Sequence, residues 1–282
     1  MIRARTVAAL RDATQSMRRQ GETLAFVPTM GCLHAGHLSL VERAREEADR
    51  VVVSVFVNPT QFGPGEDLEA YPRVEESDCE KLEAAGVDVT FLPSADELYP
   101  AGDQTVVALS ELPNHLCGLS RPVHFRGVST VCAKLFGAVG PDVVVFGEKD
   151  FQQLQVIRRM VRDLLLPIRV VGVPTHREAD GLARSSRNQY LSPDERERAA
   201  SLHRALRDAA AQVQAGEHRV DALLDQMHAT LGASGGTIDY AEVVDPDTLE
   251  PLETVRREAR ALVAVQFGSA RLIDNIALLP PG

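Results

Sequence analysis

Four short segments of this sequence concentrate side chains that could bind phosphate groups or a small acid. The first is Met30-Gly31-Cys32-Leu33-His34-Ala35-Gly36-His37, where glycines accompany two histidines three residues apart. Glycine lets the backbone approach a ligand closely, and imidazoles donate hydrogen bonds to phosphoryl oxygens while remaining able to exchange protons. The spacing puts both rings on one face of a helix start. This segment is predicted to bind nucleotide phosphates.

Two other interpretations of the histidine segment stay open. The histidines could merely cap a helix while the glycines make the turn, because a single H-x-G-H motif has little specificity without context. Alternatively, Cys32, His34 and His37 could bind a metal. That site would need a fourth ligand from elsewhere in the chain. Because a turn this rich in glycine suits phosphate better, we predict no metal site.

The second segment is Gly147-Glu148-Lys149-Asp150, between the strand-like run Val143–Phe146 and the helical stretch Phe151–Leu165. Lys149 offers a cation for phosphate, and the two carboxylates could meet a ribose hydroxyl or Mg²⁺. Asp150 would equally well be a helix N-cap that needs no ligand.

The third segment, Ser185-Ser186-Arg187-Asn188, follows a loop that contains Asp180-Gly181. Hydroxyl groups beside an arginine can fold over a triphosphate and neutralise the departing pyrophosphate. A flexible interdomain linker would look similar, so this segment gains weight only from the others.

The fourth segment, Asn58-Pro59-Thr60-Gln61-Phe62, ends the strand-like run Val51–Val57. Neutral amides can bind hydroxyl groups and a carboxylate without an ion pair, which suits a small hydroxy acid. Asn-Pro is also a common start of a turn.

Val-rich apolar runs alternate with amphipathic stretches over the first part of the chain. Strands are predicted at Leu24–Pro28, Val51–Val57, Val87–Leu92, Asp142–Phe146 and Ile168–Val173, and helices at Thr6–Gln20, Gly36–Ala48, Glu75–Ala85, Val128–Val139 and Phe151–Leu165. Such alternation is typical of an α/β fold with a doubly wound parallel sheet, whose ligands bind at the carboxyl ends of the strands.

The pattern changes after Pro174. Two helices, Asp194–Ala215 and Val220–Leu231, precede three strands, Ile238–Val244, Ala261–Val265 and Arg271–Ile276. This is an α+β pattern. We therefore expect a larger domain over residues 1–174 and a second, smaller domain over residues 175–282.

Charge and composition exclude several classes of protein. The chain has 30 Lys+Arg against 40 Asp+Glu and a pI of about 5.3, so no broad surface for nucleic acid is expected. Four cysteines without a C-x-x-C pair favour a reducing cytoplasm over zinc or disulfides. No apolar h-region and no run of about 18 apolar residues occurs, so we expect a soluble, unexported protein away from membranes.

Taken in order, the four segments resemble those of the pantoate–β-alanine ligases, or pantothenate synthetases. Pro28–His37, Asn58–Phe62, Gly147–Asp150 with Gln152-Gln153, and Ser185–Asn188 match in register over most of the chain. The family belongs to the H-x-G-H nucleotidyltransferases, so the resemblance implies a Rossmann-like ATP domain with a smaller C-terminal lid. It also implies a homodimer, to which the apolar run Val51–Phe62 is a candidate contributor.

The resemblance implies a two-step reaction on Mg-ATP. The carboxylate of pantoate attacks the α-phosphate to give pantoyl-adenylate and pyrophosphate, and the amine of β-alanine then attacks the acyl carbon and releases AMP. ATP is a substrate, Mg²⁺ the implied cofactor, and no enzyme nucleophile is required. The sequence accordingly shows no convincing Ser-His-Asp or Cys-His order.

The resemblance also assigns roles by position. It places His34 and His37 on the phosphates, with His37 as the proton donor. Gln61 and Gln153 resemble the amides that hold pantoate, and Gln61 is also a candidate contact for β-alanine. The catalytic candidates are His34, His37, Lys149 and Arg187; the ATP-binding candidates are Met30 to His37, Gly147, Glu148, Lys149, Asp150, His176, Arg184, Ser185, Ser186 and Arg187; and those for the acid are Asn58, Gln61 and Gln153.

Two of these positions depart from the pattern of the family. His176 stands where relatives usually carry an aliphatic residue that offers its backbone to adenine. Arg184 stands where an apolar residue usually precedes Ser-Ser-Arg. Its side chain would either reinforce phosphate binding or point into solvent, and the second interpretation is slightly favoured.

Two rival functions fit part of the pattern. A cytidylyltransferase, or a fragment resembling class I aminoacyl-tRNA synthetases, would share the histidine segment, but the lack of a basic stretch opposes a synthetase, and Gln61 and Gln153 favour pantoate. A nucleotide-binding regulatory protein with an inactive site is the other rival, opposed by the intact histidines, Lys149 and Arg187.

Overall fold

The computed structural model describes residues 1–281, and the chain forms two compact units. The first unit comprises Met1–Pro113, Arg121–Glu148 and Gln153–Pro174, and the second comprises Asn114–Ser120, Lys149–Gln152 and the chain from Thr175 onward. Two short segments of the N-terminal part, one of them containing Lys149, therefore group with the C-terminal part. Within residues 1–281, no helix is long and apolar enough to cross a membrane.

The helices and strands predicted before Pro174 are present, with ends shifted by a few residues. In chain order, the helices and strands of this part of the chain are β1 (Ile2–Ala4), α1 (Val7–Arg19), β2 (Leu24–Thr29), α2 (Ala35–Glu47), β3 (Arg50–Val55), α3 (Glu75–Ala84), β4 (Val89–Phe91), α4 (Ala95–Leu98), α5 (Cys117–Ser120), α6 (His124–Val139), β5 (Val143–Gly147), α7 (Phe151–Asp163) and β6 (Arg169–Val173). Strand β1 and the short helices α4 and α5 were not predicted, because three or four residues are too few to show a period.

The first unit contains a six-stranded sheet in the order β1-β4-β3-β2-β5-β6, with every pair parallel. The chain runs from β2 outward to β3 and β4, and β5 later pairs on the other side of β2. The topological switch point therefore lies between β2 and β5, where ligands bind in open α/β sheets. The carboxyl ends of these strands lead to Met30 and Glu148.

Alternate residues of the central strands face two separate hydrophobic cores, because successive side chains of a strand point to opposite faces. Phe26, Val52 and Val144 pack with residues of α1, α6 and α7. Ala25, Val53 and Val145 pack with residues of α2 and α3. Helices thus cover both faces, and the prediction of a doubly wound α/β fold is confirmed.

Strand β3 lies inside the sheet between β2 and β4. Its residues Val51, Val52 and Val53 are at most 1% exposed, because they fill the cores on the two faces. These three side chains of the apolar run Val51–Phe62 are therefore used within the sheet, and a contribution of the run to a homodimer interface stays a prediction.

The second unit contains a three-stranded antiparallel sheet in the order β7-β8-β9, packed against helices. Its regular elements after Thr175 are α8 (Pro193–Ala199), α9 (Ser201–Gln214), α10 (Val220–Gly232), β7 (Thr237–Val244), β8 (Ala259–Phe267) and β9 (Ala270–Leu278). The α+β prediction for this part is confirmed.

The predicted single helix Asp194–Ala215 is two helices, α8 and α9, which meet at Ala200. The amide of Ala200 bonds to Glu197 O, three residues back, in a tighter turn than an α-helix makes. Beyond it, α9 turns Leu202, Leu206 and other apolar residues into the core, whereas the buried residue of α8 is Ala199. Packing of α9 on the sheet thus sets the break.

Candidate active site

The turn after β2 has two consecutive residues in the left-handed region, Gly31 at φ +83° and Cys32 at φ +51°. A Cβ at Gly31 would lie 2.9 Å from both Asp78 Oδ2 and Val55 Cγ1, so a larger residue does not fit. The amide of Gly31 donates to Thr29 Oγ1 at 3.2 Å. Gly31 was predicted because it lets a ligand approach the backbone closely. It is also required because the side chains of Asp78 and Val55 pack against the same backbone.

The backbone of this turn is held by α3, a helix to which the sequence analysis gave no functional role. The Asp78 carboxylate, 0% exposed, accepts the N–H groups of Cys32 and Leu33, each at 2.8 Å. Lys81 donates to Leu33 O at 2.9 Å. These contacts satisfy backbone groups that would otherwise be buried without partners. The signal in the sequence is weak: Asp78 shares a helix face with the apolar Leu82.

Replacing Asp78 with alanine is expected to lower the free energy of unfolding by about 2–5 kcal/mol, since two buried N–H groups lose their acceptor. Urea unfolding followed by circular dichroism measures this. The matched control is Glu80→Ala, an exposed position on the same helix, with an expected change within about 0.5 kcal/mol. Equal effects of the two substitutions would show that Asp78 does not hold the turn.

The two histidines lie at the start of α2, with His34 at the N-cap position and His37 three residues later. Their rings stack with centroids 4.0 Å apart and an angle of 28° between the planes. The His34 N–H donates to His37 Nδ1 at 3.3 Å. A neutral imidazole that accepts at Nδ1 carries its proton on Nε2, so His37 presents an Nε2–H donor. The helix-cap interpretation is therefore partly right, and the cap also fixes which nitrogen donates.

Asn58, which is 1% exposed, is the polar centre of the segment after β3. Its Nδ2 donates to Gln61 Oε1 at 3.1 Å and to Gly127 O at 3.2 Å, and its Oδ1 accepts from Tyr99 Oη at 2.9 Å. Burial raises the pKa of Tyr99, which keeps that phenol a donor. The amide of Asn58 therefore orients Gln61, and Gln61 Nε2 in turn reaches Met30 Sδ at 3.1 Å.

Helix α6 approaches the same segment at Gly127 without room for a side chain. A Cβ there would lie 2.4 Å from Thr60 O and 2.5 Å from Gln61 Cα. The carbonyl of Gln61 also lies 3.1 Å from His124 Nδ1. The position of Gln61 thus depends on backbone contact with a helix far away in sequence.

Other predicted residues of the first unit have simpler positions. Leu33 is 4% exposed in the core, with its N–H and C=O bound as described, so it supports the turn. Ala35 and Gly36 open α2, and Gly147 ends β5. Gln153 lies half-buried near the start of α7, and Glu148 follows β5 directly.

In the second unit, Lys149 is fixed at its main chain. Its carbonyl accepts Asn275 Nδ2 at 2.9 Å, and its Nζ lies 3.6 Å from Asp150 Oδ2. Its side chain is 20% exposed. Sequence reasoning found Lys149 but missed Asn275, because β9 carries no recognisable motif.

Residues 176–184 form a small hairpin ahead of Ser185. The Arg184 N–H donates to His176 O at 2.9 Å, and Gly181 turns the chain at φ +93°. A Cβ at Gly181 would lie 2.2 Å from His203 Cδ2, so the turn packs directly on α9. The predicted His176 has an exposed side chain and takes part in the hairpin through its backbone.

The side chain of Arg184 forms an ion pair with Glu178 of the same hairpin. The guanidinium thus has a protein carboxylate as partner while the side chain remains 40% exposed, and a role in phosphate binding stays a prediction. Further along, Ser185 caps a short 3₁₀ helix over Ser186–Tyr190, and its Oγ accepts the Arg187 N–H at 3.3 Å.

Within residues 1–281, no group of three His, Cys, Asp or Glu side chains could hold a metal ion. Cys32, His34 and His37 thus form no such group, and the metal interpretation of the histidine segment has no support from the geometry.

Comparisons with known proteins give consistent similarities along the chain. The model of the pantoate-beta-alanine ligase family matches residues 3–277. The pantothenate synthetase of Desulfatibacillum aliphaticivorans is 53% identical over 274 residues, 97% of this chain and 98% of that protein. That of Heliobacterium modesticaldum is 53% identical over 278 residues, 97% and 99% of the two chains.

Solved structures agree. Pantothenate synthetase from Thermus thermophilus has a TM-score of 0.94 at 50% identity, with 99% of this chain and 100% of that chain covered. Pantoate-beta-alanine ligase from Francisella tularensis, complexed with beta-gamma ATP and beta-alanine, has a TM-score of 0.83 at 34% identity, with 98% and 97% covered. The similarities therefore span the residues of both units.

Proposed function

The chain belongs to the pantoate–β-alanine ligase family, and we propose that it joins (R)-pantoate to β-alanine through a pantoyl-adenylate formed on ATP. It is an enzyme, a ligase of pantothenate biosynthesis. In the first step a carboxylate oxygen of pantoate bonds to the α-phosphorus of ATP, and pyrophosphate leaves. In the second, the amine of β-alanine bonds to the acyl carbon, AMP leaves, and the nitrogen loses a proton.

The observation that carries this proposal is the hydrogen bond from the His34 N–H to His37 Nδ1, from which we infer an Nε2–H donor on His37 at the start of α2. Negative charge moves onto the β-phosphate as pyrophosphate departs, and donors already in place stabilise it without reorganisation. His34 stacks on the same ring and adds a second imidazole. The helix N-terminus contributes a partial positive charge to the same place. These groups supply charge neutralisation and positioning, and the reaction needs no enzyme nucleophile.

Gln61, Gln153 and Asn58 are proposed to bind the acid, and Asn58 does so by orienting Gln61. Because its Oε1 accepts from Asn58 and one N–H reaches Met30 Sδ, Gln61 offers its second amide N–H, which suits the carboxylate and hydroxyl oxygens of pantoate. The same amide is proposed to meet β-alanine.

Gly127→Ala is expected to displace Gln61 and raise the KM for pantoate about tenfold or more, with a smaller effect on the KM for ATP. Steady-state kinetics with each substrate varied separately measures this. Gly137→Ala on the same helix is the matched control, because no heavy atom lies within 4 Å of its added Cβ. An unchanged KM for pantoate in Gly127→Ala would argue against Gln61 as a pantoate ligand.

Cations of the second unit are proposed to bind the polyphosphate. Lys149 and Arg187 neutralise charge, and Ser185 and Ser186 donate hydroxyl hydrogen bonds, as a loop over pyrophosphate requires. Residues 1–174 are proposed as the ATP- and pantoate-binding domain and residues 175–282 as the lid. The remaining ATP-binding candidates are proposed to line the nucleotide site, except Leu33, which supports the turn from the core: they are Met30 to Gly36, Gly147, Glu148, Asp150, His176 and Arg184.

Mg²⁺ is proposed to arrive with ATP, since phosphate oxygens and water hold this ion readily. No protein-built metal cluster exists within residues 1–281, and no step is assigned to the ion beyond its place in the substrate. A homodimer in the reducing cytoplasm is proposed as well. All four cysteines are thiols, as that compartment favours.

Pantoate labelled with ¹⁸O in its carboxylate tests the adenylate directly. One labelled oxygen should appear in AMP after the complete reaction, because the bond between that oxygen and the acyl carbon breaks in the second step. Label in inorganic phosphate would instead indicate an acyl phosphate. Label remaining wholly in the amide product and water would exclude both.

A further inference from the structure

Strand β9 of the second unit carries two adjacent polar residues, Asp274 and Asn275, that are each 2% exposed. The Asn275 Nδ2 donates to Lys149 O at 2.9 Å, and its Oδ1 accepts Arg260 Nε at 2.7 Å. Both ends of this buried amide are therefore used, one of them on the main chain of the proposed phosphate-binding lysine. We propose that Asn275 is a positioning residue for adenylation that acts through Lys149; the proposal rests on the function proposed above.

The segment around Lys149 is held at a second point by the same group of residues. The guanidinium of Arg260, which fixes Asn275, also lies over the ring of Phe151, with its Cζ 4.3 Å from the ring centroid. The two contacts bracket the segment, one at Lys149 and one two residues later. A main chain fixed at both points limits the directions that the Lys149 side chain can take.

Asn275 is itself held by an ion pair between the buried Asp274 and Arg177, whose side chain is 21% exposed. Arg177 donates to both carboxylate oxygens of Asp274, at 2.7 and 2.9 Å, and to Asn275 O at 3.4 Å. Arg177 Nη1 also donates to Gly181 O at 3.0 Å. One strand therefore anchors the main chain of Lys149 and the hairpin that leads into Ser185–Arg187, so the two cationic segments of this unit share a support.

Stability alone is a poor explanation for this network. An ion pair of this kind gives little net stabilisation compared with apolar side chains of similar size, because the buried carboxylate loses its water and the guanidinium loses most of it. What such a pair supplies is a specific geometry, fixed by paired hydrogen bonds. The surrounding core of the unit is built from Leu, Val and Ala, so apolar packing is available there. We therefore attribute this network to positioning, because it fixes both segments that carry the proposed phosphate ligands.

A double-mutant cycle tests the proposal, with pantoate-dependent exchange of labelled pyrophosphate into ATP as the measurement. Asn275→Ala in the wild-type background is expected to lower the kcat of exchange about tenfold, with the KM for pantoate unchanged within about twofold. In the Lys149→Ala background the same substitution should change kcat less than about twofold, because the group it positions is gone. If Asn275 had a merely structural role, its substitution would lower the kcat of exchange by the same factor in both backgrounds.

Loss of folding is controlled in two ways. Asp245→Asn removes another buried charge of the second unit, one that bonds to Asp247, Thr248 and Arg257, and it should leave the exchange within about twofold of wild type. If Asn275→Ala lowers the unfolding midpoint more than Asp245→Asn does, the cycle is run with Asn275→Asp, which keeps the size and removes the donor.

The outcomes separate this proposal from the proposed function. Absence of exchange in the wild-type enzyme overturns the proposed function. Normal exchange in the wild type, together with an equal effect of the Asn275 substitution in both backgrounds or no effect in either, overturns the role of Asn275. A loss confined to the background that retains Lys149 supports it.

Discussion

Replacing His37 with alanine is expected to slow pantoyl-adenylate formation by about 10²–10³-fold, the cost of about 3–4 kcal/mol for a preorganised transition-state donor. The geometry supports this size, because His37 Nδ1 is already occupied by the His34 N–H and its donor is fixed on Nε2. Single-turnover formation of adenylate from ATP and pantoate, without β-alanine, is the measurement.

The fold of the His37→Ala variant should stay intact. Loss of the acceptor for the His34 N–H is expected to lower the free energy of unfolding by about 1 kcal/mol, as for other N-caps. His228→Ala, at an exposed position of α10, is the control and should retain wild-type rates. Adenylation at the wild-type rate in a folded His37→Ala variant would remove His37 from the mechanism.

Lys149→Ala should damage adenylation far more than amide formation, because its proposed target is the triphosphate. We expect a loss of about 100-fold in the first half-reaction, as for the removal of one preorganised charge. With preformed pantoyl-adenylate and β-alanine supplied, the second half-reaction should fall less than about threefold, since no pyrophosphate is present.

Arg207→Ala is the matched control for Lys149→Ala, since it removes an exposed cation of the same unit. It should leave both half-reactions near wild type, because the charge of a side chain that is 68% exposed is largely screened by water and salt. Equal losses in the two half-reactions of Lys149→Ala would contradict a role on the triphosphate and would indicate general damage to the site.

The sheet of the first unit could be predicted because its strands are short apolar runs between amphipathic helices. In Val51–Val57 and Asp142–Phe146, continuous Val-rich sequence indicates burial on both faces. Strand order cannot be read from such runs, and it is the order that puts β2 beside β5. Only the structure therefore shows that Met30–His37 lies at the switch point.

The supporting residues of the site were missed for a different reason. Asp78, Gly127 and Asn275 contact the main chain of segments 45 to 126 residues away, and no local pattern encodes such contacts. In sequence, Asp78 looks like a solvent-facing helix residue and Gly127 like an unfavourable residue within a helix. Only the folded chain shows that one accepts two backbone amides and the other allows two backbones to touch.

The histidine segment was identified from its composition, and the structure adds how its donor is fixed. At position N3, His37 accepts the N–H of the N-cap residue His34 and, by the same hydrogen bond, is set to donate from Nε2. The cap and the phosphate site, first treated as alternatives, are compatible.

Exchange of labelled pyrophosphate into ATP, measured without β-alanine, tests most directly the claim that this enzyme activates pantoate as an adenylate. We predict exchange that is abolished when pantoate is omitted and that falls by about 10²–10³-fold in His37→Ala and by about 100-fold in Lys149→Ala. Exchange that proceeds equally without pantoate, or its absence in the folded wild-type enzyme, would contradict it.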